Sequence, residues 1–151
     1  MASIVGNATK EALFKGAYAE YRGTYLLMSA TYDVRWRIEI MDLNETHVKV
    51  RVSSQIIGLE RKPTIGEIWV NKTNWVNEYF VNQGWELSYV EKTNCGIMRK
   101  CIVYTYIDPY SRTIIIYIDE SIGWPIRFTF KHPVYGETEI HLYETNVPGL
   151  K

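Results

Sequence analysis

Two apolar segments joined by a four-residue turn constrain the fold of this chain more than any other feature. Residues 101–107 (CIVYTYI) and 113–118 (TIIIYI) are nearly continuous runs of the β-branched and aromatic types that suit a pleated surface. Between them, residues 108–111 (DPYS) match a type I turn, with an Asx acceptor first and a proline second. Residues 126–130 (IRFTF) resume a period of two after Pro125, whose missing N–H suits a first or edge position. The sequence therefore predicts a β-hairpin and a third strand, with both faces of the hairpin covered or one face lining a cavity.

Alternation of apolar and charged residues marks a second hairpin nearer the N-terminus. Residues 34–40 (VRWRIEI) and 48–52 (VKVRV) alternate as half-buried strands do, and the polar link 42–45 joins them. On the outer face of this hairpin, we expect Glu39 to pair with Lys49. Further strands are predicted from Gly16 onward and at 65–70, 85–90 and 137–143, with a loop or short helix at 74–83. The predicted fold class is mainly β, a curved antiparallel sheet in a half-barrel or sandwich with at most one or two short helices.

Length and charge limit the domain organisation and the function classes. The chain of 151 residues predicts one antiparallel β domain over residues 16–147, preceded by an arm or short helix at 1–15 and followed by a tail at 148–151. The formal net charge is zero, which gives no support to a nucleic-acid partner. No apolar run is long enough for a transmembrane segment, and no signal-peptide pattern is present, although processing would remove one. The 17 Ile, 12 Tyr and two Gln are a bias compatible with a thermophile.

Residues 117–127 (YIDESIGWPIR) carry a resemblance to a known family. A strand followed by Asp, a few turn residues, Gly, one further residue, Pro and an aliphatic-basic pair is similar to the pattern of LolA-like lipoprotein-carrier half-barrels. The order of elements also resembles small secreted archaeal β domains of unknown function, in which a Gly-containing turn such as residues 94–96 (NCG) precedes a Tyr-rich strand. The LolA-like resemblance implies an open antiparallel sheet wrapped around a helix, with an apolar inner surface that holds acyl chains.

The two cysteines and three possible glycosylation sites give information on the cellular compartment of the protein. A hairpin between Cys95 and Cys101 would bring their Cβ atoms within the roughly 4 Å that a disulfide needs, and a disulfide would indicate an extracytoplasmic site. The alternative is two unpaired thiols, with Cys101 buried as a small apolar residue. Asn7, Asn44 and Asn71 each begin an Asn-x-Thr glycosylation pattern, and the alternative is that they are ordinary polar turn residues.

Candidate chemistry is confined to one short C-terminal stretch. His132 and His141 lie close in sequence to Glu137 and Glu139, and such groups could form a metal or general-base site. A polar outer strand face is the interpretation we favour, because no HExxH or catalytic-triad motif occurs. The sequence therefore predicts no catalytic residue, no metal and no cofactor.

The aromatic content is the remaining clue. Trp36, Trp69, Trp85 and Trp124 are candidate ligand-binding residues, although most aromatic residues of a sheet simply pack in its core. We predict a non-enzymatic binding or interaction domain, secreted or on the cell surface, whose partner is a protein or an apolar small molecule. One alternative is a carrier that holds a lipid or other apolar ligand in a curved sheet. A second is a hydrolase or metal site in the region 132–141.

Overall fold

A nine-stranded antiparallel sheet curls around a single helix in the computed structural model, which describes residues 12–134 and 136–151. The elements in chain order are β1 (Tyr18–Leu27), β2 (Ala30–Leu43), β3 (His47–Ile56), β4 (Thr64–Asn71), α1 (Trp75–Asn82), β5 (Glu86–Gly96), β6 (Arg99–Ile107), β7 (Thr113–Asp119), β8 (Pro125–His132) and β9 (Gly136–Thr145). The sheet order is β4-β3-β2-β1-β9-β8-β7-β6-β5, so β4 and β5 form its two edges. The predicted mainly β class is confirmed in its half-barrel form.

The two predicted hairpins are both present. In the β6–β7 turn, the Ser111 amide donates to the Asp108 carbonyl at 3.1 Å, and the Asp108 carboxylate accepts from the Tyr110 and Arg112 amides. Pro125 is the first residue of β8, where its missing N–H is tolerated, although β8 is an interior strand. The loop-or-helix segment predicted at residues 74–83 contains the helix α1, and the predicted arm or short helix at residues 1–15 lies mostly outside the described residues.

The predicted ion pair between Glu39 and Lys49 is wrong, because these two residues are not opposite each other in the β2–β3 pair. Glu39 lies opposite Arg51 and forms an ion pair with Arg37, and after an irregularity between Ile40 and Asp42, Lys49 lies opposite Asp42. Lys49 and Arg51 both form ion pairs with Glu67 on β4, at 2.9 and 2.8 Å. The acidic partner of both cations on the convex face is therefore on the neighbouring strand β4.

Gly23 lies at a close approach of β1 to β9. A Cβ built on Gly23 would lie 2.1 Å from the backbone oxygen of Glu139, so any side chain would force the two strands apart. A register shift between Glu20 and Tyr21 lies on the same strand pair. Glycines and bulges at such positions let a sheet bend sharply, and these two features coincide with the middle of the curled sheet.

The helix α1 packs in the concave side of the sheet through Trp75, Val76, Tyr79 and Phe80, which are all buried. The Phe80 ring stacks 6.5 Å from the Trp36 ring on β2, and the Tyr106 hydroxyl donates to Asn77 at 2.7 Å. Burial raises the pKa of Tyr79, and burial with the neighbouring Tyr104 raises that of Tyr106. Both phenols are therefore neutral at physiological pH.

The curled sheet has two ends of different character. The closed end contains the β2–β3, β5–β6 and β7–β8 turns, and the open end contains the β1–β2, β3–β4, β6–β7 and β8–β9 turns. At the closed end, Trp75 and Trp124 meet edge-to-face with ring centroids 4.9 Å apart, and the Trp124 indole N–H donates to the Ala12 carbonyl at 2.8 Å. Val147 and Leu150 of the C-terminal segment are buried in the same core.

Candidate functional site

A cleft of about 320 Å³ lies at the open end of the sheet. Its volume is at the lower end of the range for small-molecule sites. Six aromatic and aliphatic side chains from four strands and from the α1–β5 turn line it, namely Tyr25, Val34, Trp36, Ile56, Trp85 and Phe130. The polar side chains of Ser54, Gln55, Thr113 and Thr138 also line it. A surface that combines aromatic rings with polar groups is typical of a site for an apolar or amphipathic molecule.

The cleft exists because the helix does not reach the open end of the sheet. Trp36 on β2 and Phe130 on β8 point to the concave side, with ring centroids 4.9 Å apart. Both side chains are only partly buried, whereas Phe128, one inward position further along β8, is fully buried beneath Phe80. The apolar concave face therefore continues past the helix and becomes accessible at the cleft.

A second recess of about 280 Å³ adjoins the cleft and shares Trp36, Ser54 and Trp85 with it. It runs between β4 and the helix, and Gly66 permits that approach. A Cβ on Gly66 would lie 2.9 Å from the Tyr79 hydroxyl, so a larger residue would require the Tyr79 side chain to move away from β4. The two recesses together form an elongated groove, which is more polar in the second recess than in the cleft.

Charged and polar groups lie at the mouth of the cleft. They are Glu60, Arg112, Lys131 and His132. Arg112 forms an ion pair with Asp108, whose side chain is nearly inaccessible. Burial opposes ionisation of Asp108, but the hydrogen bonds from Arg112 and from the Tyr110 amide hold its pKa below the usual value. His132 Nδ1 accepts from the Val134 amide at 3.0 Å, so a neutral His132 ring carries its proton on Nε2.

The four tryptophans singled out from the sequence lie in three different places. Trp36 and Trp85 are in the cleft wall, Trp69 is partly exposed beside Lys49 on the convex face, and Trp124 is buried at the closed end. Sequence reasoning missed Phe130, although its alternation with Phe128 and Ile126 places all three on one face of β8. A ligand-binding role for Trp36 and Trp85 stays a prediction.

The two histidines of the C-terminal stretch face opposite sides of the sheet. His132 lies at the mouth of the cleft, whereas His141 and Glu139 are on the convex face, with 3.7 Å between His141 Nε2 and a Glu139 oxygen. Within residues 12–134 and 136–151, no group of three His, Cys, Asp or Glu side chains could hold a metal ion. The structure thus does not bring together the groups that a site at 132–141 requires.

Cys95 and Cys101 form a disulfide with a Cα–Cα distance of 5.8 Å, which joins β5 to β6 at the closed end. The predicted pairing is confirmed. Of the sequon residues, Asn44 is exposed in the β2–β3 turn, Asn71 is at the end of β4, and Asn7 lies outside the described residues. The Asn44 side-chain oxygen accepts from the Thr46 and His47 amides, which is a turn-forming role independent of any glycan.

Among the described residues, no helix is both long and apolar enough to cross a membrane. The fold and the cleft together define an antiparallel β half-barrel with one open, apolar-lined end. No family model and no curated protein matches the chain. A solved structure of the hypothetical protein CT021 from Chlamydia trachomatis is similar, with 13% identity, a TM-score of 0.48, and coverage of 89% of this chain and 88% of that one.

Proposed function

We propose that this protein is a non-enzymatic binding domain that holds an apolar or amphipathic small molecule in the cleft at the open end of its half-barrel. The observation that carries the proposal is the partial exposure of Trp36, Trp85 and Phe130 around one concave space. Leaving such rings in contact with water is unfavourable, and covering them with an apolar ligand recovers about 25 cal/mol per Å² of apolar area.

The groove also matches what the LolA-like resemblance implies, an apolar inner surface beside a helix. Its polar mouth suits a ligand with one polar end, because Arg112 and His132 lie where a chain held against Trp36 would emerge. We therefore favour the carrier alternative among the binding functions, with Trp36 and Trp85 as the ligand-binding residues.

The proposed location is extracytoplasmic, either secreted or on the cell surface. The disulfide is compatible with an oxidising compartment, although some thermophile proteins keep disulfides inside the cell. Glycosylation at Asn44 and Asn71 belongs to the same proposal, and Asn44 is exposed in its turn.

Filling the cleft tests the proposal directly. Ser54 lines both recesses, so Ser54→Trp should occupy the space that the ligand needs. Titration with an environment-sensitive fatty-acid analogue should show saturable binding to the parent protein and a loss of affinity of at least about tenfold in the variant. Thr24→Trp is the control, because Thr24 is exposed on the other face of the sheet and its substitution leaves the cleft unchanged.

Equal affinity of Ser54→Trp and the parent protein for the analogue would contradict the proposal. Thermal unfolding of each variant shows that a loss of binding does not come from a loss of the fold. Native mass spectrometry of the protein purified from its own organism then reports the mass of any retained molecule and of any glycan.

The free edge of β5 supports a second candidate, an interaction module that adds a partner's strand to the sheet. Among the strands of the described residues, β5 pairs only with β6, and Leu87 and Tyr89 are exposed on it. β5 has a register shift between Leu87 and Tyr89 and carries the charges of Glu86 and Glu91. Such features usually protect an edge strand from pairing. In the same native mass spectrum, a bound protein chain in place of a small molecule would favour this candidate.

A further inference from the structure

One buried tyrosine of the described residues has a hydroxyl without a hydrogen-bond partner in the protein. The hydroxyls of the other three, Tyr21, Tyr104 and Tyr106, donate to a backbone carbonyl or to an asparagine side chain at 2.6 to 3.2 Å. Tyr79 on α1 is only 6% exposed, and its hydroxyl has no such partner within residues 12–134 and 136–151. A buried phenol usually finds a partner, because an unpaired one has lost its hydrogen bonds to water. The exception at Tyr79 points to a partner outside the protein.

Gly66 on β4 makes room for this hydroxyl. A glycine inside a strand has no side chain to pack, and it often marks a place where another group approaches closely. The φ of Gly66 lies outside the left-handed region, so the backbone conformation does not require glycine there. The atom nearest to a Cβ on Gly66 would be the Tyr79 hydroxyl oxygen, followed by the Gln83 side-chain oxygen at 4.0 Å. The strand therefore lacks a side chain at the point where the phenol oxygen lies.

The second recess, in which this hydroxyl lies, suits an uncharged polar group. Four polar side chains line it, namely Ser54, Thr64, Tyr79 and Gln83. None of the described residues that line it carries a charge, so an ionised group would lose hydration there without gaining a counter-charge. Trp36 and Trp85 line both the recess and the cleft, so the apolar part of the same molecule can lie against their rings.

We propose that Tyr79 determines which ligands the groove accepts, by donating its hydroxyl hydrogen to the carbonyl oxygen of an acyl ester or acyl amide. Burial raises the pKa of Tyr79, so the phenol is protonated and can donate at physiological pH. A carbonyl oxygen only accepts, and one phenol therefore satisfies it without bringing a further donor into the recess. The polar group beyond the carbonyl can extend to the charged mouth of the cleft. This inference rests on the proposed function and adds the chemical class of the ligand.

A matched pair of tyrosine substitutions tests this contact with laurdan. Laurdan is an uncharged naphthalene with a dodecanoyl chain, and its emission moves to longer wavelength when its carbonyl accepts a hydrogen bond. Tyr79→Phe removes only the phenol oxygen, so it should lower the affinity for laurdan about fivefold or more and shift the emission of the bound probe to the blue. Tyr32→Phe removes a hydroxyl at the open end that lies outside both recesses, and it should match the parent protein in affinity and emission.

Thermal unfolding without a ligand separates binding from a structural role of the hydroxyl. Because the Tyr79 hydroxyl has no partner in the described residues, Tyr79→Phe should keep or raise the melting temperature. A clear fall in the melting temperature would overturn the inference, since it would show that the hydroxyl stabilises the fold. Equal affinity and equal emission of laurdan in Tyr79→Phe and the parent protein would overturn it as well.

Displacement of laurdan by simple acyl compounds distinguishes the two sources of the carbonyl. Methyl dodecanoate and N-methyldodecanamide should each displace the probe, and the tighter competitor shows whether the recess prefers an ester or an amide. Their affinities should fall in Tyr79→Phe, whereas 1-chlorododecane, which has no carbonyl, should bind both proteins equally. An equal loss for 1-chlorododecane would contradict a role for the carbonyl.

The same measurements separate this inference from the proposed function. Probe binding that Ser54→Trp abolishes and Tyr79→Phe leaves unchanged would refute the role of Tyr79 alone. Failure of the fatty-acid analogue and of laurdan to bind the parent protein would refute the proposed function, and this inference with it.

Discussion

The two ends of the half-barrel use similar residues for different purposes. At the closed end, Trp75 and Trp124 are fully buried and pack edge-to-face, and the Trp124 indole is hydrogen-bonded. At the open end, Trp36 and Trp85 lie in the wall of an accessible cleft. The difference comes from what covers each pair, because the terminal segments pack at the closed end, whereas at the open end the helix covers Trp36 only in part, through Phe80.

This contrast shows why tryptophan content alone is a poor guide to a binding site. A tryptophan contributes to stability when its surroundings exclude water from it, and it becomes available to a ligand where that cover ends. The closed end should therefore determine the stability of the protein, and the open end its binding.

Comparing Trp124→Ala with Trp85→Ala gives the largest expected difference between the two ends. Removal of the fully buried Trp124 leaves a cavity and an unpaired Ala12 carbonyl, and should lower the free energy of unfolding by about 3–5 kcal/mol. Trp85 is only partly buried, so its removal should cost less than about half as much. Denaturant unfolding followed by circular dichroism measures both values.

If Trp124→Ala fails to fold, Trp124→Phe keeps an aromatic ring next to Trp75 and loses the hydrogen bond to Ala12 and part of the buried ring volume. That variant should fold with a smaller loss. A greater loss of stability in Trp85→Ala than in the Trp124 variants would contradict the assignment of the stabilising core to the closed end.

Removal of the disulfide at the closed end should have an intermediate effect on stability. Cys95→Ser opens a bridge of sequence separation 6, which should lower the free energy of unfolding by about 2 kcal/mol through the larger entropy of the unfolded chain. Binding of the fatty-acid analogue at the opposite end should be unchanged. A reducing agent should destabilise the parent protein to a similar extent and have no effect on Cys95→Ser, whereas an equal effect on both proteins would contradict a stabilising disulfide.

Residue type and period predicted most of the fold. The hairpins at residues 101–118 and 34–52 were predictable because β-branched runs, alternation and turn residues act locally. The bulge in β2 was not, because nothing in residues 40–42 marks an extra residue until β3 is placed opposite. The pairing of β1 with β9 was equally hidden, since it joins segments from opposite ends of the chain.

The cleft was predictable only in part, for a related reason. Trp36 and Trp85 were chosen from the sequence together with Trp69 and Trp124, and the pattern of alternation does not distinguish a ring that is covered by a helix from one that is not. Arg112 has no distinguishing pattern in the sequence, where it simply follows the turn at residues 108–111. Its position at the mouth of the cleft depends on how far the sheet curls.

Acid pH should reduce the stabilisation contributed by the two ends unequally, and this is the smallest of the expected effects on stability. In the open-end turn, the pKa of Asp108 is lowered in spite of burial, by hydrogen bonds from Arg112 and Tyr110. Its ionised form therefore stabilises the fold above the unfolded-state pKa of about 4, and this stabilisation is lost as the pH falls through the lower folded-state pKa. At the closed end, the hydrogen bond from Lys92 lowers the pKa of the more exposed Glu120.

Melting temperatures measured from about pH 7 to about pH 3 should fall less steeply for Asp108→Asn than for the parent protein, and Glu120→Gln should follow the parent more closely. Identical acid profiles for the parent protein and Asp108→Asn would show that the turn at the mouth of the cleft does not depend on this carboxylate.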